Sequence, residues 1–370
     1  MAAKHSRLLV ALVLMTHAAG AHAQTALEPI RYTLSFPAPQ THYVEVTATV
    51  PTGRRASVDL MMAVWTPGSY LVREYSRNVE AVTAAGDDGR ALDVDKSKKN
   101  HWRVATGGAS LITLTYRVYC REMSVRTNWV ESDFALINGA PTFITLADLA
   151  PRPHEVTIKP AAGWRRSVTA LPEMGGGDHR YRAPDYDTLV DSPIVIGNPA
   201  VYDFDVDGKK HSLVDVGEAG VFDGARAAKD LETIVQQDRR TWGFLPYDRY
   251  VFFNMITESG GGLEHKNSTV LMTNRWSTRT RRAYLGWLEL ASHEYFHAWN
   301  VKRLRPAELG PFDYENENIT RSLWVVEGVT DYYADLQVHR AGLSTGEEYL
   351  DGLSNTIELL QTTPGRLVQS

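Results

Sequence analysis

Cysteine is nearly missing from this chain. Cys120 stands alone among 370 residues, so no intramolecular disulfide can staple the fold. It ends the strand-like run LITLTYRVYC, where a buried structural thiol is expected. An excess of positive charge is missing too. The net charge is −5 with histidine neutral, and no basic tract gathers locally, which excludes nucleic acid as a partner. No fixed-period repeat is present, so solenoids and propellers are excluded. Long apolar runs are lacking as well. The one in the leader, Leu8 to Met15, falls short of the ~20 residues that cross a bilayer. With Lys4 and Arg7 before it and Ala21-His22-Ala23 after it, residues 1–23 read as a signal peptide, cleaved rather than kept as an anchor. Its loss takes the net charge from −5 to −7. Export to a periplasm or the exterior is expected, with no stable membrane insertion afterwards, although a reducing compartment would explain the cysteine count equally well.

What is present is an ordinary globular composition, 43% hydrophobic and 22% charged, in a chain long enough for two domains. Residues 24–198 are β-rich. IRYTLSF, HYVEVTATV, VDLMMAVW, LITLTYRVY and HEVTIKP are short, rich in Val, Ile, Thr and Tyr, and separated by turn residues such as PTGRR, GDDGR and EMGGGD. An antiparallel sandwich-like or barrel-like domain is the natural expectation. Past Gly197 and Pro199 the character changes. Residues 199–370 hold strand-like runs (VYDFDVD, HSLVDV, YVFFNMIT, STVLMT) and helical patterns at about 223–242, 281–303 and 321–341. Asp223 is a plausible N-cap, and Ser344-Thr345-Gly346-Glu347 has the form of a capping box opening a last helix. The expected fold class is α+β.

Chemistry concentrates in the second half. HEYFH at 293–297 puts His293 and His297 four residues apart on one helical face, where two imidazoles can serve one metal ion. Glu294 is offset around the helix and suits a general base acting on a metal-activated water. Two histidines satisfied in a core would produce the same pattern. A catalytic zinc needs a third protein ligand, and LWVVEGVTDYYADL offers Glu327 inside an apolar stretch where an unpaired carboxylate is costly. Asp331, four residues on, is placed to accept the second ring N–H of His293. Solvated surface acids are the alternative for both. In ESGGGLEHKNS, Gly261 and Gly262 allow close backbone approach and Glu264 offers a carboxylate to the α-ammonium of a peptide. His265 is a candidate to hold the substrate carbonyl. The alternative there is a flexible hairpin with incidental charges. In the first half, WTPGSYLVREYSRNV carries Arg73, Glu74 and Arg77, expected to form an internal charge network rather than reach the site.

HEYFHAWNVKRLRP, LWVVEGVTDYY, GGGLEHKNS and WTPGSYLVREYSRNV together resemble the glycyl aminopeptidase family of zinc peptidases. The resemblance implies a β-rich N-terminal domain followed by a thermolysin-like, mostly helical catalytic domain and a C-terminal PDZ domain. It implies one zinc per chain held by His293, His297 and Glu327 in the gluzincin manner, Glu294 as base, Glu264 as amine anchor, and preference for a small N-terminal residue such as glycine or alanine. Family members continue well past the 43 residues that follow Glu327 here, with the rest of the catalytic domain, a tyrosine thought to stabilise the oxyanion, and the PDZ domain. The sequence is therefore expected to stop within the catalytic domain. The leading expectation is an exported aminopeptidase acting on peptides with a free N-terminus. The alternatives are a gluzincin endopeptidase and a catalytically impaired zinc-containing peptide-binding protein.

Overall fold

The computed structural model describes residues 27–368 apart from Tyr70 and Glu218. The expected signal peptide lies outside the described residues. Among the described residues no helix is long and apolar enough to cross a membrane.

The first half is built of three sheets around one core. A seven-stranded sheet is mostly antiparallel; Ile30–Ser35 lies in it between Tyr43–Pro51 (antiparallel) and His154–Lys159 (parallel). Tyr43–Pro51 then pairs with Leu111–Tyr119 over its whole length. Alternation decides which side is buried: in Ile30–Ser35, Ile30, Tyr32 and Leu34 point inward while their neighbours are exposed or half-exposed. Two four-stranded sheets complete the core, which gathers residues such as Leu60, Trp102, Ile137 and Ile196 from them. The run VDLMMAVW does not stay a strand throughout. Ser57–Met61 pairs, and the chain then leaves the sheet into a turn at Thr66–Ser69. Cys120 is buried as expected, and burial pushes its thiol up to about 12.

The second half is mixed. Its five-stranded sheet runs in the order Ala200–Val206, Lys209–Gly217, Arg249–Thr257, Ser268–Asn274 and Gly261–Glu264. The central three are parallel, and buried on both faces, which is why they read as near-continuous apolar runs. Helix Gly224–Trp242 starts at the expected cap, the Asp223 carboxylate accepting from the Arg226 N–H, and ends on Gly243 in the left-handed region. Helix Arg281–Phe296 packs on the same sheet side, with Tyr284, Trp287, Leu288, Ala291 and Tyr295 in its core. The glycine-rich stretch is not a loose hairpin. Gly261–Glu264 is an edge strand, antiparallel to Ser268–Asn274.

The halves share apolar contacts. Val125, Leu136, Val168 and Val195 of the first pack with Val214, Phe253, Met255 and Val270 of the second. Tyr314 crosses over as well, joining the core of the first half beside Trp65 and Tyr186, with its hydroxyl donating to Asp187 at 2.7 Å.

Candidate metal centre

Helix Arg281–Phe296 delivers the paired histidines. His293 lies in its last turn and His297 is its C-cap residue, so the one-turn spacing brings their Nε2 atoms within 3.1 Å of each other. Both Nε2 atoms lie 3.5 Å from one carboxylate oxygen of Glu327. Three donors on ~2.0–2.1 Å bonds to a tetrahedral ion stand about 3.3 Å apart. The observed triangle matches that spacing. The other ring nitrogens are already engaged: His293 Nδ1 lies 2.8 Å from Asp331 Oδ1, and His297 Nδ1 lies 2.9 Å from the backbone carbonyl of Asn300. With each Nδ1 donating outward, both Nε2 lone pairs face inward, an arrangement that suits a cation between them. His293, His297 and Glu327 could hold a metal ion.

The electrostatics point the same way. Burial alone would lower His293, but the Asp331 and Glu327 carboxylates raise it to about 10. His297 is also raised, burial being outweighed by Glu327, Glu264 and Glu294. Burial would raise Glu327, yet the two imidazoles draw it down to about 2. The carboxylates create a place that favours positive charge.

Glu327 sits in a π-helical turn, Trp324–Gly328, that leads into helix Val329–Arg340. Such turns leave carbonyls outside the regular ladder. Here Asn300 collects them, its side-chain amide donating to the carbonyls of Val325 and Val326 and to Thr330 Oγ1. The sequence reading missed Asn300; its only signal was its position three residues after His297. The apolar surroundings expected for Glu327 are not found. Its side chain is 44% exposed and Asp331 is 77% exposed, and Leu323, Trp324, Val325 and Tyr332 near them in sequence are exposed as well.

Glu294 and Glu264 are both buried, and with His297 they offer ligand atoms within 4.8 Å of one another. Burial raises the Glu294 carboxyl, and the neighbouring Glu264 carboxylate raises it further. Glu264 Oε1 is buried without a hydrogen-bond partner among the described residues. Gly262 owes its identity to close approach: a Cβ there would lie 2.1 Å from Glu294 Oε1. Gly261 is exposed at the start of the edge strand with φ +124. His265, the residue after the strand, is 1% exposed and its Nδ1 lies 3.1 Å from Asp191 Oδ1. The structure therefore brings His293, His297, Glu327, Glu294, Glu264 and Asp331 together and holds His265 on Asp191. Arg73, Glu74 and Arg77 stay within the first half, on Ser69, Lys99 and Glu122 respectively.

Asp191, which closes the short helix Tyr186–Val190 of the first half, fastens this arrangement from behind. It accepts from the Lys266 N–H at 2.7 Å and pairs with the Lys302 ammonium at 2.8 Å as well as with His265. Burial would raise its carboxyl, but Lys302 and His265 hold it well below the usual carboxylate range.

Comparison with known proteins adds the family. A solved aminopeptidase N family protein from Idiomarina loihiensis superposes with a TM-score of 0.81 at 30% identity, over 87% of this chain and 56% of that one. The chain thus spans little more than half the length of that relative. No curated protein matches it. The model of the peptidase M61 N-terminal domain matches residues 31–198, and that of the M61 glycyl aminopeptidase matches residues 286–370. Matched in family order over most of its length, and carrying the HEYFH helix with Glu327 beside it, the chain belongs to the M61 glycyl aminopeptidase family of peptidases.

Proposed function

We propose that the chain is a zinc-dependent aminopeptidase that removes the N-terminal residue, glycine or alanine, from peptides with a free amino terminus. The observation that carries this reading is the buried, unpartnered Glu264 carboxylate oxygen beside Glu294 and His297, next to three converging metal donors. A buried carboxylate with a free acceptor, facing a second carboxylate, calls for a cation, and a peptide α-ammonium supplies one.

In this reading His293, His297 and Glu327 hold the ion, with Asp331 and Asn300 fixing the two imidazoles. Zinc bound there supplies a Lewis acid that acidifies water and polarises a carbonyl. Glu264 anchors the ammonium, and the edge strand Gly261–Glu264 offers backbone groups to an extended peptide. Glu294 takes the proton of the attacking water and returns it to the leaving amine. The second half would then be a thermolysin-like catalytic domain, and the place of work the periplasm or exterior.

The test measures zinc content and turnover of a glycyl chromogenic substrate for the chain and its Glu294→Gln variant, alongside an N-acetylated peptide. One zinc per chain, turnover lost with Glu294→Gln, and no cleavage of the acetylated peptide are expected. Equal cleavage of free and acetylated peptides would make it an endopeptidase instead. Zinc without Glu294-dependent turnover would make it a peptide-binding protein.

A further inference from the structure

A glycine of the first half lies against the candidate site. Thr66-Pro67-Gly68-Ser69 is a β-turn in which the Ser69 N–H donates to the Thr66 carbonyl at 3.0 Å. Proline second and glycine third is the type II pattern, and Gly68 has φ +91 as that turn requires. A Cβ on Gly68 would lie 2.6 Å from both carboxylate oxygens of Glu264. Thr66 at 3% and Ser69 at 5% exposure are buried, Gly68 between them is half-buried, and Glu264 is 4% exposed. It is held against the second half by residues preceding it: the Trp65 indole N–H donates to the Asp313 carbonyl at 2.6 Å, and the Val64 N–H to the Tyr314 carbonyl at 2.9 Å. The Glu264 carboxylate thus lies close both to the Gly68 backbone and to Glu294 and His297.

We propose that the Thr66–Ser69 turn of the first half is the end wall of the amine pocket: the Gly68 backbone seats the Glu264 carboxylate and closes the cleft behind it, so that no residue or acyl group can precede the bound ammonium. The wall makes the cleft a reader of chain ends. This rests on Glu264 being the ammonium partner. The specificity would then come partly from a part of the chain with no catalytic group of its own, in which the absence of a side chain is the functional feature.

The experiment is calorimetric binding of glycinamide and N-acetylglycinamide to the zinc-loaded chain and to Glu264→Gln, Gly68→Ala, Glu264→Asp and the Gly68→Ala/Glu264→Asp pair, with thermal midpoint and zinc content measured on each. The original chain is expected to bind glycinamide and not its acetylated form. Gly68→Ala should weaken glycinamide about tenfold or more with zinc retained, and the loss should shrink to about threefold or less in the Glu264→Asp background, where the shorter acid leaves room for the methyl group. If Glu264→Gln leaves glycinamide binding unchanged, the ammonium reading itself fails. If Glu264→Gln abolishes binding but Gly68→Ala does not weaken it, the wall alone is overturned. It is also overturned if the chain binds N-acetylglycinamide as well as glycinamide, or if Gly68→Ala costs the same, or prevents folding, in both backgrounds, since the turn and not the carboxylate would then be what demands glycine.

Discussion

The backbone carbonyl of Asn300 lies 2.9 Å from His297 Nδ1, and the side chain of the same residue holds the turn that carries Glu327. One residue therefore orients two of the three candidate metal ligands. It does so from a buried position, 8% exposed, where its hydrogen bonds are not diluted by solvent.

Replacing Asn300 by alanine keeps the carbonyl on His297 but frees the turn that carries Glu327, and should lower metal affinity about 100-fold, the upper end of what outer partners of metal ligands contribute. Chelator competition measures it. Asp331→Ala should cost about tenfold or less, because Asp331 is 77% exposed and water can replace it on His293 Nδ1. Equal losses in the two variants would deny the Asn300 side chain its hold on the Glu327 turn.

The Asp191–Lys302 pair should respond unequally to its two deletions. Asp191→Ala leaves the Lys302 ammonium buried beside nothing that was its counter-charge, and should cost about 3–5 kcal/mol in urea unfolding. Lys302→Met leaves Asp191 with the His265 ring and the Lys266 N–H, and should cost clearly less. A larger loss for Lys302→Met would show that the lysine stem, not the charge pair, matters.

Asp238 should make stability fall as pH rises. It is fully buried, accepts from Gln337 Nε2 at 2.8 Å through Oδ1, and burial raises its carboxyl to about 8. Its unfolded value is near 4, so between pH 4 and 8 the unfolded chain releases a proton that the folded chain keeps. Stability contributed by the protonated form is full below about pH 4 and gone above about pH 8. Asp238→Asn should remove that slope and gain on the order of 2–5 kcal/mol at pH 9 relative to the original chain, with little gain at pH 4. Urea midpoints at the two values test it, and a gain equal at both would reject the titration.

Much of this was readable in the residues. The β-rich first half showed in its alternating runs, and the two-histidine helix in its spacing, because both periods are imposed by backbone geometry. Asp223 showed as a cap. The capping box at the last helix was right in kind but shifted by one: Thr345 and Glu348 make the reciprocal bonds, not Ser344 and Glu347. What stayed hidden was tertiary. The π-helical turn under Glu327 has no composition signal, and Asn300 meets His297 through a carbonyl, which every residue possesses, and meets the Glu327 turn across a contact that only folding makes. The contact of Gly68 with Glu264 joins positions nearly 200 residues apart. A flexible hairpin stood as the alternative for GGGLEH because glycine is scarce in strands, yet Gly262 lies in a strand and admits the Glu294 carboxylate.

The apolar seam formed by Val125, Leu136, Val168 and Val195 against Val214, Phe253, Met255 and Val270 has a consequence for descent. A recombination event near residue 198 that joined either half to an unrelated neighbour would strand that seam in water. Neither half is a free cassette. The two are packed as one unit, and a substitution on one face of the seam is constrained by the side chains that stand across from it.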